Sequence, residues 1–149
     1  MGRGFADTDA EVERVAGRTV VEIFAAEGEA GFRARERTAI TDVCARVEPL
    51  VVACGGGAVV DATNRAVLRS AGTVVWLRAP VAALVARVGS GAGRPLLADE
   101  PAVVLTRLAE EREPAYTATA HAVVDTDDLG VDEVVERVLA AYAAPGSVS

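Results

Sequence analysis

A short run that is apolar at every position, 50–54 (LVVAC), stops at three consecutive glycines. Such a run, unlike an alternating one, is typical of a strand in a parallel sheet with both faces covered. A second buried strand is predicted at 73–77, and both strands lie between stretches whose apolar spacing is helical. Strands that alternate with helices predict an α/β fold with a parallel sheet, whose ligands bind at the carboxyl ends of the strands.

The same patterns indicate one domain that includes all 149 residues, with no repeat or linker. Strands are predicted at 4–7, 50–54, 73–77 and 122–125, and helices at 10–16, 19–26, 29–47, 61–71, 80–88, 101–113 and from 131 onward. Thr8 or Asp9 is the predicted N-cap of the first helix, and Gly17 its end. A Gly-rich stretch, 89–99, is predicted to be flexible, and the tail 144–149 to be loose.

Charge and hydropathy exclude several classes of protein. The net charge of -7 and the pI of about 4.7 leave no basic face, so we expect neither a nucleic-acid nor a membrane partner. No apolar run approaches the roughly 20 residues that span a bilayer, and no signal peptide is visible, so we expect a cytoplasmic protein. Cys44 and Cys54 are too few for a disulfide framework or a zinc site and are interpreted as reduced, largely buried thiols.

Two candidate sites lie where predicted strands end. Asp7 and Asp9 follow the first strand, where they either hold a metal or polar ligand or favour the positive end of the next helix. Gly55, Gly56 and Gly57 follow the second strand, where they either turn the chain or let a ligand approach the backbone closely. The residues alone leave both alternatives open at each site.

A charged residue interrupts the apolar face of the helix predicted at 29–47. Glu36 lies on the stripe that ends at Val47, and a buried carboxylate must find partners. Arg33 lies three positions earlier, on the neighbouring face of the helix, so we predict that the two side chains pair.

Three further side chains have both an ordinary and a functional interpretation. Arg94 in GRPLL and Arg112 in EREPAY could be surface arginines or ligands of an anion. His121 is interpreted as a packing or edge residue rather than as a base.

Five strings follow one another along the chain: DTDAEVE, IFAAEGEAGFRARE, CGGGAVV, GRPLL and EREPAY. In this order and approximate spacing they closely resemble the shikimate kinases, from Phe5 to about Ala143. The resemblance implies a three-layer α/β/α parallel-sheet fold of the nucleoside-monophosphate-kinase-like P-loop type. It also implies transfer of the γ-phosphate of ATP to the 3-hydroxyl of shikimate, in the chorismate pathway to aromatic amino acids, with Mg²⁺ as cofactor. The partners would be these small molecules, and the full-length protein would be a monomer.

The family pattern implies a role for each matched residue. Asp9 would bind the shikimate hydroxyls and orient the attacking one or take its proton. Asp7 would stand near Mg²⁺, mostly through water. Arg33 and Arg112 would clamp the substrate carboxylate with paired hydrogen bonds.

The resemblance assigns three more parts of the implied site. Glu36 would hold Arg33 in position. Gly56, with its two neighbouring glycines, would offer backbone N–H to the substrate. Arg94 would ride on a lid at 89–99, close over the nucleotide phosphates and neutralise charge that develops during transfer.

One element of the family pattern has no counterpart in the chain. Shikimate kinases carry a first strand and a GxxxxGK[ST] phosphate loop before the DTD segment, and this loop holds the ATP phosphates. All 15 basic residues of the chain are Arg, so no such loop is present. Leu129 also stands near a position where the family often has an arginine against the adenine. We therefore expect the central strand of the sheet to be absent, and the chain by itself to be inactive.

Three interpretations follow, of which we favour the first. The first is a shikimate kinase whose sequence is shortened at the N-terminus. The second is a non-catalytic shikimate-binding remnant, or a protein that a partner completes. The third is a kinase relative that acts on another carbocyclic or sugar-like polyol.

Overall fold

The computed structural model describes residues 2–88 and 100–144, and these form two compact units that divide between Ala71 and Gly72. The predicted lid, 89–99, with Arg94, lies outside the described residues, as do 145–149 of the tail. Each unit contains one pair of parallel strands with helices, which confirms the predicted α/β class. The single domain built on one continuous sheet stays a prediction.

The first unit contains the two strand ends singled out in the sequence. Its elements are β1 (Gly4–Asp7), α1 (Thr8–Ala16), α2 (Val20–Cys44), β2 (Leu50–Ala53), a short 3₁₀ helix (Ala58–Val60) and α3 (Ala62–Ala71). β1 and β2 pair in parallel, with Gly4 opposite Leu50 and Asp7 opposite Ala53. The residues that follow the two strands therefore lie at the same edge of this small sheet.

The first helix begins at Thr8, two residues before the predicted start at 10. Asp7, not Thr8 or Asp9, is the N-cap of α1, so that prediction was wrong. The Oδ1 atom of Asp7 accepts hydrogen bonds from the backbone N–H groups of Asp9 (2.9 Å) and Ala10 (3.2 Å). Asp7 can act in this way because it is the last residue of β1 and keeps an extended backbone. Gly17 ends the helix with φ of 67°, as predicted.

The two helices predicted at 19–26 and 29–47 form one element, α2, with an interruption at Gly28. Gly28 has φ of 71° and ψ of -176°, outside the helical region. Thr19 caps the start of α2 in a capping box with Glu22, and the helix ends at Cys44. The predicted extension to 47 was therefore wrong.

The core of the first unit is formed where α1 packs against α2. Val12, Ile23, Phe32 and Ala39 form one buried cluster, and the rings of Phe24 and Phe32 lie 4.8 Å apart between centroids. This core fixes the orientation of α2, and with it the direction in which Arg33 and Glu36 leave the helix.

The predicted burial of β2 on both faces was wrong for the described residues. Phe5 of β1 and its partner Val51 of β2 are exposed on one face, whereas Ala6 is buried on the opposite face. The reason is that this two-stranded sheet is covered on one face only within its own unit. Cys54, directly after β2, is also exposed.

The second unit contains a second pair of parallel strands. Its elements are β3 (Val75–Arg78), α4 (Val81–Val88), α5 (Pro101–Thr119), β4 (Ala122–Asp125) and α6 (Val131–Ala143), and β3 pairs with β4. The predicted end of this helix at 113 was wrong, because α5 continues through Pro114 to Thr119. Proline has no N–H to donate to the carbonyl one helical turn earlier. Pro114 is exposed, so water can donate to that carbonyl instead.

The side chain of His121 has a structural role in the second unit. Its Nδ1 atom accepts a hydrogen bond from the backbone N–H of Val74 at 3.0 Å, which agrees with its interpretation as an edge residue. Nearby, Trp76 and Tyr116 stack with their ring centroids 5.0 Å apart. No helix within residues 2–88 and 100–144 is long and apolar enough to cross a membrane.

Candidate functional site

The parallel pairing of β1 and β2 brings Asp9 to the triple glycine. A Cβ atom built on Gly55 would lie 3.4 Å from each carboxylate oxygen of Asp9. The Asp9 carboxylate therefore faces the backbone of Gly55 across the edge of the sheet. The two candidate sites that the sequence predicted, at the ends of two strands, therefore lie together.

Gly57 packs against the guanidinium group of Arg33. A Cβ atom on Gly57 would overlap Nη2, Cζ and Nη1 of that arginine. No side chain fits at this position unless Arg33 moves. The triple glycine therefore does more than turn the chain, because the absence of a side chain at Gly57 leaves space for the Arg33 guanidinium.

Arg33 and Glu36 form the ion pair that their spacing predicted. Nη1 of Arg33 donates to Oε1 of Glu36 at 2.9 Å and to Oε2 at 3.2 Å. Only 1% of Glu36 is exposed, whereas Arg33 keeps part of its side chain at the surface. Glu29 approaches Nη2 at 3.5 Å, and the guanidinium carbon lies 5.2 Å from the ring centroid of Phe32. A buried carboxylate therefore anchors a guanidinium that can still reach a ligand.

Sequence reasoning missed the residues that hold the loop after the triple glycine. Nε of Arg37 donates to Oδ2 of Asp61 at 2.8 Å, so α2 is tied to the residue that caps α3. Asn64 and Arg65, both on α3, donate to backbone carbonyls of the 3₁₀ helix. The one signal in the sequence was the polar string DATNR at the start of the helix predicted at 61–71.

Cys54 lies beside the same site. It is exposed by area, yet surrounding atoms displace enough water from its thiol to raise its pKa to about 11. The nearby Cys44 thiol and the carboxylates of Glu36 and Asp9 raise this pKa further, against a lowering contribution from Thr8. The interpretation of two largely buried thiols was therefore wrong for Cys54, but its thiol stays protonated at neutral pH.

The family pattern also assigns roles to Asp7, Arg112 and Arg94. Asp7 is exposed at the start of α1, where it serves as the N-cap. Arg112 is half-buried on α5 of the second unit, and its approach to Arg33 stays a prediction. Arg94 belongs to the stretch outside the described residues.

The comparison with known proteins decides the family. The sequence profile of the shikimate kinases matches residues 1–143. The chain belongs to the shikimate kinase family. It is 42% identical over 139 residues to shikimate kinase from Pseudomonas paraeruginosa, over 90% of this chain and 80% of that protein. It is 45% identical over 144 residues to shikimate kinase from Salinispora arenicola, over 97% of this chain and 85% of that protein.

Solved structures of shikimate kinases have the same fold. The shikimate kinase from Acinetobacter baumannii in complex with shikimate matches with a TM-score of 0.89 and 39% identity, over 93% of this chain and 77% of that one. The shikimate kinase from Bacteroides thetaiotaomicron matches with a TM-score of 0.82 and 30% identity, over 93% and 82%. The chain is therefore a kinase of this family with its P-loop-kinase-like α/β fold.

Proposed function

We propose that this kinase, when complete, transfers the γ-phosphate of ATP to the 3-hydroxyl of shikimate. The observation that carries the proposal is the convergence of Asp9, Arg33 and the triple glycine at one edge of the β1–β2 sheet. These are the positions to which the family pattern assigns the shikimate hydroxyls, the shikimate carboxylate and a backbone donor. The relative from Acinetobacter baumannii was solved in complex with shikimate, which supports shikimate as the substrate proposed for this chain.

Arg33 is suited to bind a carboxylate because one of its nitrogens is already fixed. Glu36 holds Nη1 from a buried position, which leaves Nη2 and Nε for two parallel hydrogen bonds to the substrate. The contact between Nη2 and the exposed Glu29 is long, at 3.5 Å, and a substrate carboxylate can replace it. We propose that Arg112 supplies a second clamp from α5, and that Arg94 closes over the ATP phosphates.

Asp9 is suited to orient the attacking hydroxyl group. Its carboxylate faces Gly55, so a substrate bound over the triple glycine would place a hydroxyl within reach of it. A carboxylate in this position can accept the hydroxyl hydrogen bond and take the proton as the bond to phosphorus forms. We assign Asp9 this role.

The carboxylate of Asp7 fits an indirect contact with Mg²⁺. Oδ1 already accepts two backbone N–H groups, which leaves Oδ2 for a water molecule bound to the ion. Within residues 2–88 and 100–144 no group of three or more His, Cys, Asp or Glu side chains could hold a metal. Mg²⁺ bound to ATP keeps several waters, and we propose that Asp7 contacts one of these.

We further propose that the 149-residue chain does not phosphorylate shikimate by itself. No GxxxxGK[ST] loop and no Lys occur in it, and the phosphate loop is the main anion cradle in this kind of transfer. β2 and β3 each pair with one strand in the described residues, so each has a second edge that a central strand could use. A longer reading frame or a partner chain could supply that strand and loop.

The test compares the chain with a completed version. ADP release is measured with shikimate, ATP and Mg²⁺ for residues 1–149 and for the same chain joined to a family first strand and phosphate loop. Losing one donor of an anion cradle costs about 100- to 1000-fold in rate, so the uncompleted chain should show no measurable turnover. Equal rates for the two proteins would refute the proposal that the 149-residue chain is inactive. A completed chain that phosphorylates another polyol but not shikimate would refute the proposed substrate.

A further inference from the structure

We propose that Asn64 is a positioning residue that sets the shape of the glycine loop, Gly55–Gly57, for substrate binding. The loop leads directly into the 3₁₀ helix Ala58–Val60. The backbone N–H of Ala58 donates to the carbonyl of Gly55 at 3.1 Å, and that of Val60 to the carbonyl of Gly57 at 3.2 Å. Whatever fixes the 3₁₀ helix therefore fixes the glycine loop. The identity of the ligand rests on the proposed function.

Asn64 fixes the 3₁₀ helix from inside the fold. Only 1% of Asn64 is exposed, and its Nδ2 donates to the carbonyl oxygen of Ala58, itself fully buried, at 3.0 Å. Within the described residues its Oδ1 atom has no hydrogen-bond partner. A leucine of similar volume would avoid the cost of that buried oxygen, but it would leave the Ala58 carbonyl without its donor. The hydrogen bond to the Ala58 carbonyl therefore explains why a polar amide is buried at position 64.

Two neighbouring contacts hold the same segment. Nη1 of Arg65 donates to the carbonyl of Val59 at 2.7 Å and to that of Val60 at 3.0 Å. Asp61 accepts from Arg37 on α2, one helical turn beyond Arg33. Side chains of α3 thus bind all three carbonyls of the 3₁₀ helix. The ion pair between Arg37 and Asp61 ties the residue directly after the 3₁₀ helix to α2, which carries Arg33.

A small displacement of the glycine loop would change both ends of the candidate site. Gly57 lies against the Arg33 guanidinium with no room for a methyl group, and Gly55 faces the Asp9 carboxylate. Binding geometry in such sites tolerates less than about 1 Å of misplacement. Asn64 therefore acts on the substrate through the loop.

The first part of the test needs no ligand. Amide chemical shifts and hydrogen exchange of residues 55–60 are measured by NMR in the wild-type chain, in Asn64→Leu and in Asn64→Asp, which replaces Nδ2 by an oxygen. Arg65→Ala is the milder variant if neither Asn64 variant folds, and Thr63→Ala, an exposed neighbour on α3, is the control. We expect shifted resonances and faster exchange at Ala58 and Val60 in the test variants only. Unchanged amides would overturn the proposal whether or not shikimate binds.

The second part measures shikimate affinity by calorimetry in the same proteins. We expect at least about tenfold weaker binding in the Asn64 variants. Ile23→Val, in the core of the same unit, is the control for lost stability. At a melting temperature lowered as much as in the Asn64 variants, it should keep the wild-type affinity for shikimate. Wild-type affinity in variants with a displaced loop would overturn the proposal. A wild-type chain that binds no shikimate, with a displaced loop in the variants, would refute the proposed substrate and leave the action of Asn64 on the loop established.

Discussion

Glu36 holds Arg33 by two hydrogen bonds, of 2.9 and 3.2 Å, to the same guanidinium nitrogen. The carboxylate is almost completely buried, whereas the guanidinium is only partly so. The pair therefore has an inner partner that is fixed by the core and an outer partner that points to the triple glycine. This arrangement gives a flexible arginine a single orientation before any ligand is bound.

Removing Arg33 should destabilise the fold more than removing a similar arginine nearby. Arg33→Ala takes from Glu36 a cation that balances its buried charge, which costs about 3–5 kcal/mol when such a pair is broken. Arg35→Ala on the same helix breaks an exposed pair with Glu27, which is worth less than about 1 kcal/mol. Urea denaturation measures both free energies of unfolding. Equal losses would show that the Glu36 pair contributes no more than a surface contact.

Asp7 should contribute to stability as a helix cap. Asp7→Ala removes the acceptor of two N–H groups at the start of α1 and should lower the free energy of unfolding by about 1 kcal/mol. Asp7→Asn keeps an oxygen in the same place and should cost less. Thermal unfolding of the two variants checks this order, and equal losses for Asp7→Ala and Asp7→Asn would show that the negative charge matters more than the cap.

Two glycines of the loop should respond differently to the same added methyl group. Gly57→Ala must displace the Arg33 guanidinium, because the new carbon would lie within 2.5 Å of three of its atoms. The lost contact to a substrate carboxylate, about 1.5–3 kcal/mol, corresponds to roughly 10- to 150-fold weaker shikimate binding. Gly55→Ala adds a carbon at an ordinary 3.4 Å from Asp9 and should change affinity far less. Calorimetric titration of both variants tests the difference, and equal effects would contradict the assigned contact.

Cys54 should react slowly with alkylating reagents at neutral pH. Its pKa is raised to about 11, mainly by desolvation, so the reactive thiolate is scarce at pH 7 and increases with pH until about pH 11. Iodoacetamide labelling of the Cys44→Ala variant between pH 7 and 10, followed by mass spectrometry, measures the rate at Cys54 alone. A rate at pH 7 as high as that of an unperturbed cysteine, with pKa near about 8.5, would contradict this assignment.

The sequence predicted features that depend on neighbouring residues along the chain. The pairing of Arg33 with Glu36 and the end of α1 at Gly17 both follow from local geometry, and the structure confirms them. The N-cap at Asp7 was missed because three consecutive residues could all cap a helix. The choice among them depends on where β1 ends, which pairing with β2 determines.

Other features depended on contacts that no local pattern reports. Asn64 contacts a carbonyl six positions earlier, and its burial follows from how α3 packs against α2. α5 passes through Pro114, although proline usually marks the end of a helix, because that residue is on the exposed side. The exposure of β2 depends on which elements cover a sheet, and this is a property of the assembled fold.

The proposed function is tested most directly by the product of the completed kinase. The chain joined to a family first strand and phosphate loop is incubated with ATP, Mg²⁺ and shikimate, and the product is identified by phosphorus and proton NMR. We predict shikimate phosphorylated at the 3-hydroxyl, at a rate that falls at least about 100-fold in Asp9→Asn while the fold is kept. ADP release that does not depend on shikimate, phosphate on a different hydroxyl, or full activity in Asp9→Asn would contradict the account.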